Sequence, residues 1–174
     1  MNSEYNVEIA IATPDMYAEI GQLMVNVYAN LDGFPAQEEQ PNYYEMLANI
    51  GDFANKESVD LLVAQSEDKI FGAVVYIGDM KDYGSGGTAT RVKDAAGFRL
   101  LAVSKEARGL GLGRKLTIAC IEKAKMQGLQ EMIIHTTEAM RVAWGMYEKM
   151  GFERSEDLDF LQRGFPVFGF RLKL

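Results

Sequence analysis

Apolar and polar positions alternate from Val7 onward. Val7, Ile9 and Ile11 are set against Glu8 and Ala10, a period of two that predicts a strand. Thr13-Pro14-Asp15 then reads as a helix cap with proline at the first helical position. Met16, Ile20, Leu23, Met24, Val27 and Tyr28 recur at helical spacing, so a helix is predicted to run to near Asn30. Phe34 to Pro41 reads as a Glu- and Gln-rich loop. Asn42 to about Phe53 reads as a second helix, with Tyr43, Met46, Leu47 and Ile50 on one face. Val59 to Gln65 and Lys69 to Ile77 are apolar runs broken by Ser66-Glu67-Asp68, which signals a hairpin. Gly78 to Gly97, with Gly84, Gly86 and Gly87, reads as a flexible loop.

The second half changes period more often. Phe98 to Val103 is an apolar run that predicts the central strand, followed by a polar turn, Ser104 to Ala107. After Arg108-Gly109-Leu110-Gly111-Leu112-Gly113 comes an amphipathic stretch, Arg114 to Lys125. Leu112, Leu116, Ala119, Cys120 and Ala124 form its buried face, and Gly128 ends it. Glu131 to Thr137 predicts a strand. Ala139 to Lys149 predicts a helix, with Ala143, Met146, Tyr147 and Met150 at helical spacing and Gly151 closing it. Phe152 to Phe160 and Phe168 to Leu174 predict the last strands, joined through Gly164 and Pro166.

Composition narrows the function classes. A chain of 174 residues predicts one domain, spanning residues 1–174. A formal charge of −7 argues against nonspecific nucleic-acid binding, which needs surplus Lys and Arg. One cysteine and one histidine exclude an internal disulfide and the usual zinc ligand sets, so no metal is expected. The longest apolar run, Ile70 to Ile77, is far short of a membrane span, and no membrane partner is expected. Met1 to Tyr5 lacks the pattern of a signal peptide, so the expected location is cytoplasmic.

The chemistry concentrates at Arg108 to Gly113. Three glycines in five positions let the main chain turn tightly and approach a ligand without a Cβ in the way. The first N–H groups of the following helix have no intrahelical partner and lie at the positive end of its dipole. Arg108, Arg114 and Lys115 add charge. A pyrophosphate is the expected ligand. The Walker loop fails, because Leu116 stands where a hydroxyl is needed. The dinucleotide fingerprint Gly-x-Gly-x-x-Gly fails from Gly109 and from Gly111 alike.

Arg108, Gly111 and Gly113 satisfy the pattern Arg/Gln-x-x-Gly-x-Gly/Ala. This resembles the acyl-CoA motif of the GNAT superfamily of N-acyltransferases. The likeness continues through Thr136-Thr137 to Met146-Tyr147-Glu148-Lys149-Met150-Gly151-Phe152. It implies an α/β (α+β) fold: a mixed central sheet of six to seven strands, about four flanking helices, and a central strand pair that splays apart. It implies acetyl-CoA as co-substrate, held by Leu101, Ala102 and Val103 on the strand and by Arg108, Gly109, Leu110, Gly111, Leu112, Gly113 and Arg114 on the loop. It implies an amine acceptor, most simply a small molecule. A peptide acceptor and a non-catalytic CoA-binding module are the alternatives.

The resemblance also implies that Tyr147 is the acid that protonates the departing thiolate; a packed aromatic is the other reading. A glutamate expected near the central strand is replaced by Arg99, with Gly97 and Phe98 before it. Either a water relays the amine proton to a carboxylate elsewhere, or the amine arrives neutral. Glu38, Glu39, Asp79, Asp82, Tyr83 and Asp94 could face the acceptor or could simply be surface. His135 could be a base or a strand side chain, and Cys120 reads as a small core residue. The final strands offer a surface on which a homodimer could pair.

Overall fold

The computed structural model describes residues 6–174. Eight strands and four α-helices follow in order: β1 (Glu8–Ile11), α1 (Tyr17–Ala29), α2 (Pro41–Ala48), β2 (Val59–Ser66), β3 (Lys69–Ile77), β4 (Ala95–Val103), α3 (Leu112–Met126), β5 (Glu131–Thr136), α4 (Arg141–Lys149), β6 (Glu153–Arg154), β7 (Phe160–Gln162) and β8 (Phe165–Lys173). The sheet order is β1-β2-β3-β4-β5-β8-β6, with β7 paired to β8. Every pairing is antiparallel except β4 with β5. This is the mixed sheet expected, with two very short strands added.

Both faces of the sheet are covered. Ile20, Met24, Leu47 and Ile50, from α1, α2 and the turn after them, pack on Leu61, Val63, Val75 and Ile77. On the other face Leu112, Leu116, Cys120, Ala124 and Tyr147 pack on Phe71, Val74, Phe98, Ile134 and Phe170. This explains why Ile70 to Ile77 is apolar without alternation: β3 sends successive side chains into two different cores.

Several segments differ from the sequence pattern: α2 ends at Ala48 and a tighter turn follows it, and β8 begins at Phe165, not Phe168, with Pro166 paired to Leu161. β4 begins at Ala95, not Phe98, because the small residues Ala95, Ala96 and Gly97 form its only pairs with β5. Phe152 to Phe160 is not one strand. The Asp159 carboxylate accepts from Arg154 at 2.8 and 2.7 Å and from the Gly169 amide at 2.7 Å, which draws the chain into a turn between β6 and β7. The predicted loop from Gly78 onward is pinned to the core by Met80, Tyr83 and Ala89, all buried.

Candidate active site

β4 and β5 run side by side only briefly. Ala95, Ala96 and Gly97 face Glu131, Met132 and Ile133, and no pairing follows. Beyond that point β5 stays with β8 while β4 stays with β3. A bulge on β4 accompanies the parting: Val75 faces Arg99 and Ala73 faces Ala102, so Leu100 and Leu101 together oppose Val74. Leu100 has φ +58°, unusual for a bulky residue, and a bulge bends and twists its strand. The sheet therefore opens into a fork.

Alternation decides which main-chain groups face the gap. The Ser104 amide donates to the Phe71 carbonyl at 2.8 Å, and the Ala102 carbonyl lies against Gly72. The main-chain groups of residues 102 and 104 thus point to β3, and those of Val103 between them point away from it. The Tyr28 hydroxyl reaches the Leu101 carbonyl in a long contact of 3.4 Å. Among the described residues, the sealed hydroxyls without a partner are Ser104, at the end of β4, and Thr136 and Thr137, at the end of β5. They lie on the two arms of the fork.

The glycine loop stands at its mouth. Arg108 to Gly111 are exposed. Gly111 caps α3 with φ +73°, a left-handed conformation that glycine adopts without penalty. A Cβ placed on Gly113 would lie 3.7 Å from Met146 Sδ and 3.9 Å from Leu101 Cδ2. The N-terminus of α3 therefore abuts the free stretch of β4. Beside it runs a groove of about 510 Å³ lined by Arg114, Arg141, Gly145, Met146 and Lys149. Unpaired helix amides, flanking cations and an open strand edge are the parts a phosphate-tailed thioester requires.

Tyr147 lies on α4, 4% exposed, with its ring 5.7 Å from those of Phe98 and Phe152. Burial pushes its phenol well above the ordinary range, helped by Cys120 and Tyr83. It is thus protonated at neutral pH. Its hydroxyl has no hydrogen bond to another described residue, yet it is not among the sealed orphan atoms. It keeps contact with open space.

The α1/α2 side of the fork is aromatic. Tyr28, Phe34 and Tyr43 form a cluster with ring separations of 5.3 to 6.1 Å. Arg99 lies near Phe53 and Tyr83, 5.8 Å from each ring. Helical spacing marks Tyr28 and Tyr43 only as buried positions. Aromatics at the facing ends of two consecutive helices are the signal that could have found this wall.

Most of the polar candidates on this side are engaged elsewhere. Asp79 accepts from the Lys81 amide at 3.0 Å, Asp82 from Ser58 at 2.7 Å, and Glu39 from the Ala36 amide at 2.9 Å. Asp94 has φ +55° and serves a turn, its carbonyl accepting from Gln130. His135 uses both ring nitrogens: Nδ1 meets the Tyr83 hydroxyl at 3.0 Å and Nε2 meets the Leu158 carbonyl at 2.8 Å. A carbonyl can only accept, so Nε2 carries the proton and Nδ1 accepts from Tyr83. Burial lowers the imidazole pKa. Neither ring nitrogen is free to act as a base. Cys120 is buried and its thiol is pushed far up by burial, as a core residue would be. Among the described residues no cluster of metal-ligating side chains occurs, and no helix is long and apolar enough to cross a membrane.

A forked mixed sheet with a glycine-capped helix at its mouth defines an acyl-CoA-type transferase fold. The family model described as acetyltransferase (GNAT) family matches residues 24–152, and the chain belongs to that family. It is 35% identical over 96 residues to N-alpha-acetyltransferase 30 of Schizosaccharomyces pombe, covering 55% of this chain and 59% of that protein. It is 38% identical over 55 residues to mycothiol acetyltransferase of Thermobispora bispora, covering 32% of this chain and 19% of the relative. The matched stretch is thus less than two thirds of either relative. PaiA N-acetyltransferase of Thermoplasma acidophilum, solved in complex with coenzyme A, shares the fold with a TM-score of 0.75 at 14% identity. That match covers 97% of this chain and 99% of the other.

Proposed function

We propose that this protein transfers the acetyl group of acetyl-CoA to a primary amine of a small molecule by direct attack. The observation that carries this reading is the fork between β4 and β5 with the α3 N-terminus at its mouth. The amides of Gly109 and of Gly111 to Arg114 would hold the pyrophosphate, the Leu110 amide being turned to the Ala107 carbonyl at 3.4 Å, with Arg108 and Arg114 adding charge. Main-chain groups of Leu101 and Val103 would pair with an extended, amide-bearing arm in the manner of an added strand. Ala102 would support them through its pairing to β3.

Bound there, acetyl-CoA would supply an activated thioester. The Leu101 N–H, on the bulge beside the gap, would stabilise charge developing on an acyl oxygen. The net step forms an N–C bond, breaks a C–S bond and moves one proton from nitrogen to sulfur. Tyr147, protonated and with its hydroxyl still open, is the group we assign to the sulfur end of that transfer. Holding both reactants in line supplies much of the remaining rate gain.

A second reading, acetylation of a peptide N-terminus, is favoured by the similarity to N-alpha-acetyltransferase 30. Thiol release from acetyl-CoA, measured against small amines and against peptides, separates the two. Calorimetric titration with acetyl-CoA tests the foundation. Binding is expected, and the absence of heat with folded protein would overturn the proposal.

A further inference from the structure

Arg99 lies two positions beyond Gly97, the last β4 residue paired with β5. It therefore sits where the fork opens, on the aromatic side. Its side chain is half-buried, flanked by Phe53 and Tyr83, and Nη1 donates to the Tyr83 carbonyl at 3.0 Å. Its field reaches Tyr28, Tyr43 and His135 as well.

Among the described residues no carboxylate pairs with Arg99. Three acids of neighbouring segments meet other groups: Asp79 meets Lys81, Asp82 meets Ser58 and Asp159 meets Arg154. Withdrawing a guanidinium from water without a counter-charge is costly. One hydrogen bond leaves most of its planar donor fork unused. The rings around it exclude water and so strengthen any charge pairing made there.

We infer that Arg99 recognises a carboxylate on the acceptor, so that the substrate is an amine of amino-acid type, with the carboxylate a few bonds from the nitrogen. This rests on the acetyltransferase reading above. A carboxylate fits better than a phosphate. One guanidinium matches a single planar anionic charge bidentately. The charge of Arg99 offsets part of the burial-driven rise at the phenols of Tyr28, Tyr43 and Tyr83.

The test is steady-state thiol release from acetyl-CoA, using the common α-amino acids and β-alanine, each beside its own amide. The native protein is expected to prefer at least one acid over its amide by about tenfold or more in kcat/KM. Arg99→Gln is expected to raise KM for that acid about 10- to 100-fold, leaving kcat and the KM values for the amide and for acetyl-CoA unchanged. Arg99→Lys should recover part of the loss. Three results overturn the inference: no acid preference in the native protein, an equal KM rise for acid and amide in Arg99→Gln, or acetyl-CoA binding with no carboxylate-bearing amine turned over. The first and third need no variant, so poor folding of the substituted protein cannot shield the idea. Failure to bind acetyl-CoA at all is a different result, and it removes the underlying transferase reading.

Discussion

The Tyr83 hydroxyl and His135 Nδ1 lie 3.0 Å apart, and the other ring nitrogen of His135 is held by the Leu158 carbonyl at 2.8 Å. One imidazole thus ties the segment before β4 to β5 and to the turn before β7. A histidine that reads as a candidate base in the sequence is a neutral strut in the fold.

That role has a pH signature. Burial keeps the folded-state pKa of His135 below its ordinary value, which is about 6.5. Below about pH 6.5 the unfolded chain takes a proton that the folded chain refuses, so the stability contributed by neutral His135 is lost as pH falls toward the folded pKa. His135→Gln should cost about 1–3 kcal/mol at pH 7.5. Its deficit against the native protein should shrink between about pH 6.5 and 5. Urea unfolding at several pH values checks this; a deficit independent of pH would remove the argument. The lowered carboxyls of Asp157 and Asp159 act at lower pH and do not mimic it.

Gly97 sits where β4 leaves β5. A Cβ there would lie 2.7 Å from the Ile133 carbonyl and 2.7 Å from the Tyr83 ring. Gly97→Ala is expected to destabilise by about 2–4 kcal/mol. A chemical-denaturation midpoint that barely moves would show that the strands can part further at little cost.

Two glycines of the loop should respond differently. At Gly111, φ is +73° and nothing lies within 4 Å of where a Cβ would stand. Gly111→Ala therefore meets no clash and suffers only backbone strain, about 1 kcal/mol. It should also weaken acetyl-CoA binding, because the amides must reorient. Gly113 is helical and its Cβ would make ordinary contacts at 3.7 and 3.9 Å. Gly113→Ala should leave binding nearly unchanged and stabilise by about 0.5–1 kcal/mol. Calorimetry with acetyl-CoA and thermal melts on both variants decide whether the loop works through its backbone; equal effects at the two sites would refute this.

Tyr147→Phe removes a hydroxyl with no partner among the described residues while keeping the ring against Phe98 and Phe152. Stability should change by less than about 1 kcal/mol. With an amine that turns over, kcat should fall about 100-fold with KM for acetyl-CoA unchanged. Undiminished kcat would take the acid role away from Tyr147.

The glycine loop, the helix after it and the tyrosine of α4 were legible along the chain. Each is written in local terms: turn chemistry, a period of 3.6, a cap. The order of strands and helices followed from the same periods. The extent of β4 was not legible, because Ala95 to Gly97 carry no strand signal and pair with distant partners, Ala95 with Glu131 and Gly97 with Ile77 and Ile133. Nor were the duties of Asp79, Asp82 and His135, which depend on Lys81, Ser58, Tyr83 and Leu158 arriving beside them. The sequence alone determined that a glycine-rich turn flanked by cations precedes a helix. Tertiary structure alone decided that the sheet forks beside it and that Arg99 stands in an aromatic wall with no carboxylate partner among the described residues. Both rest on long-range contacts that no local period encodes.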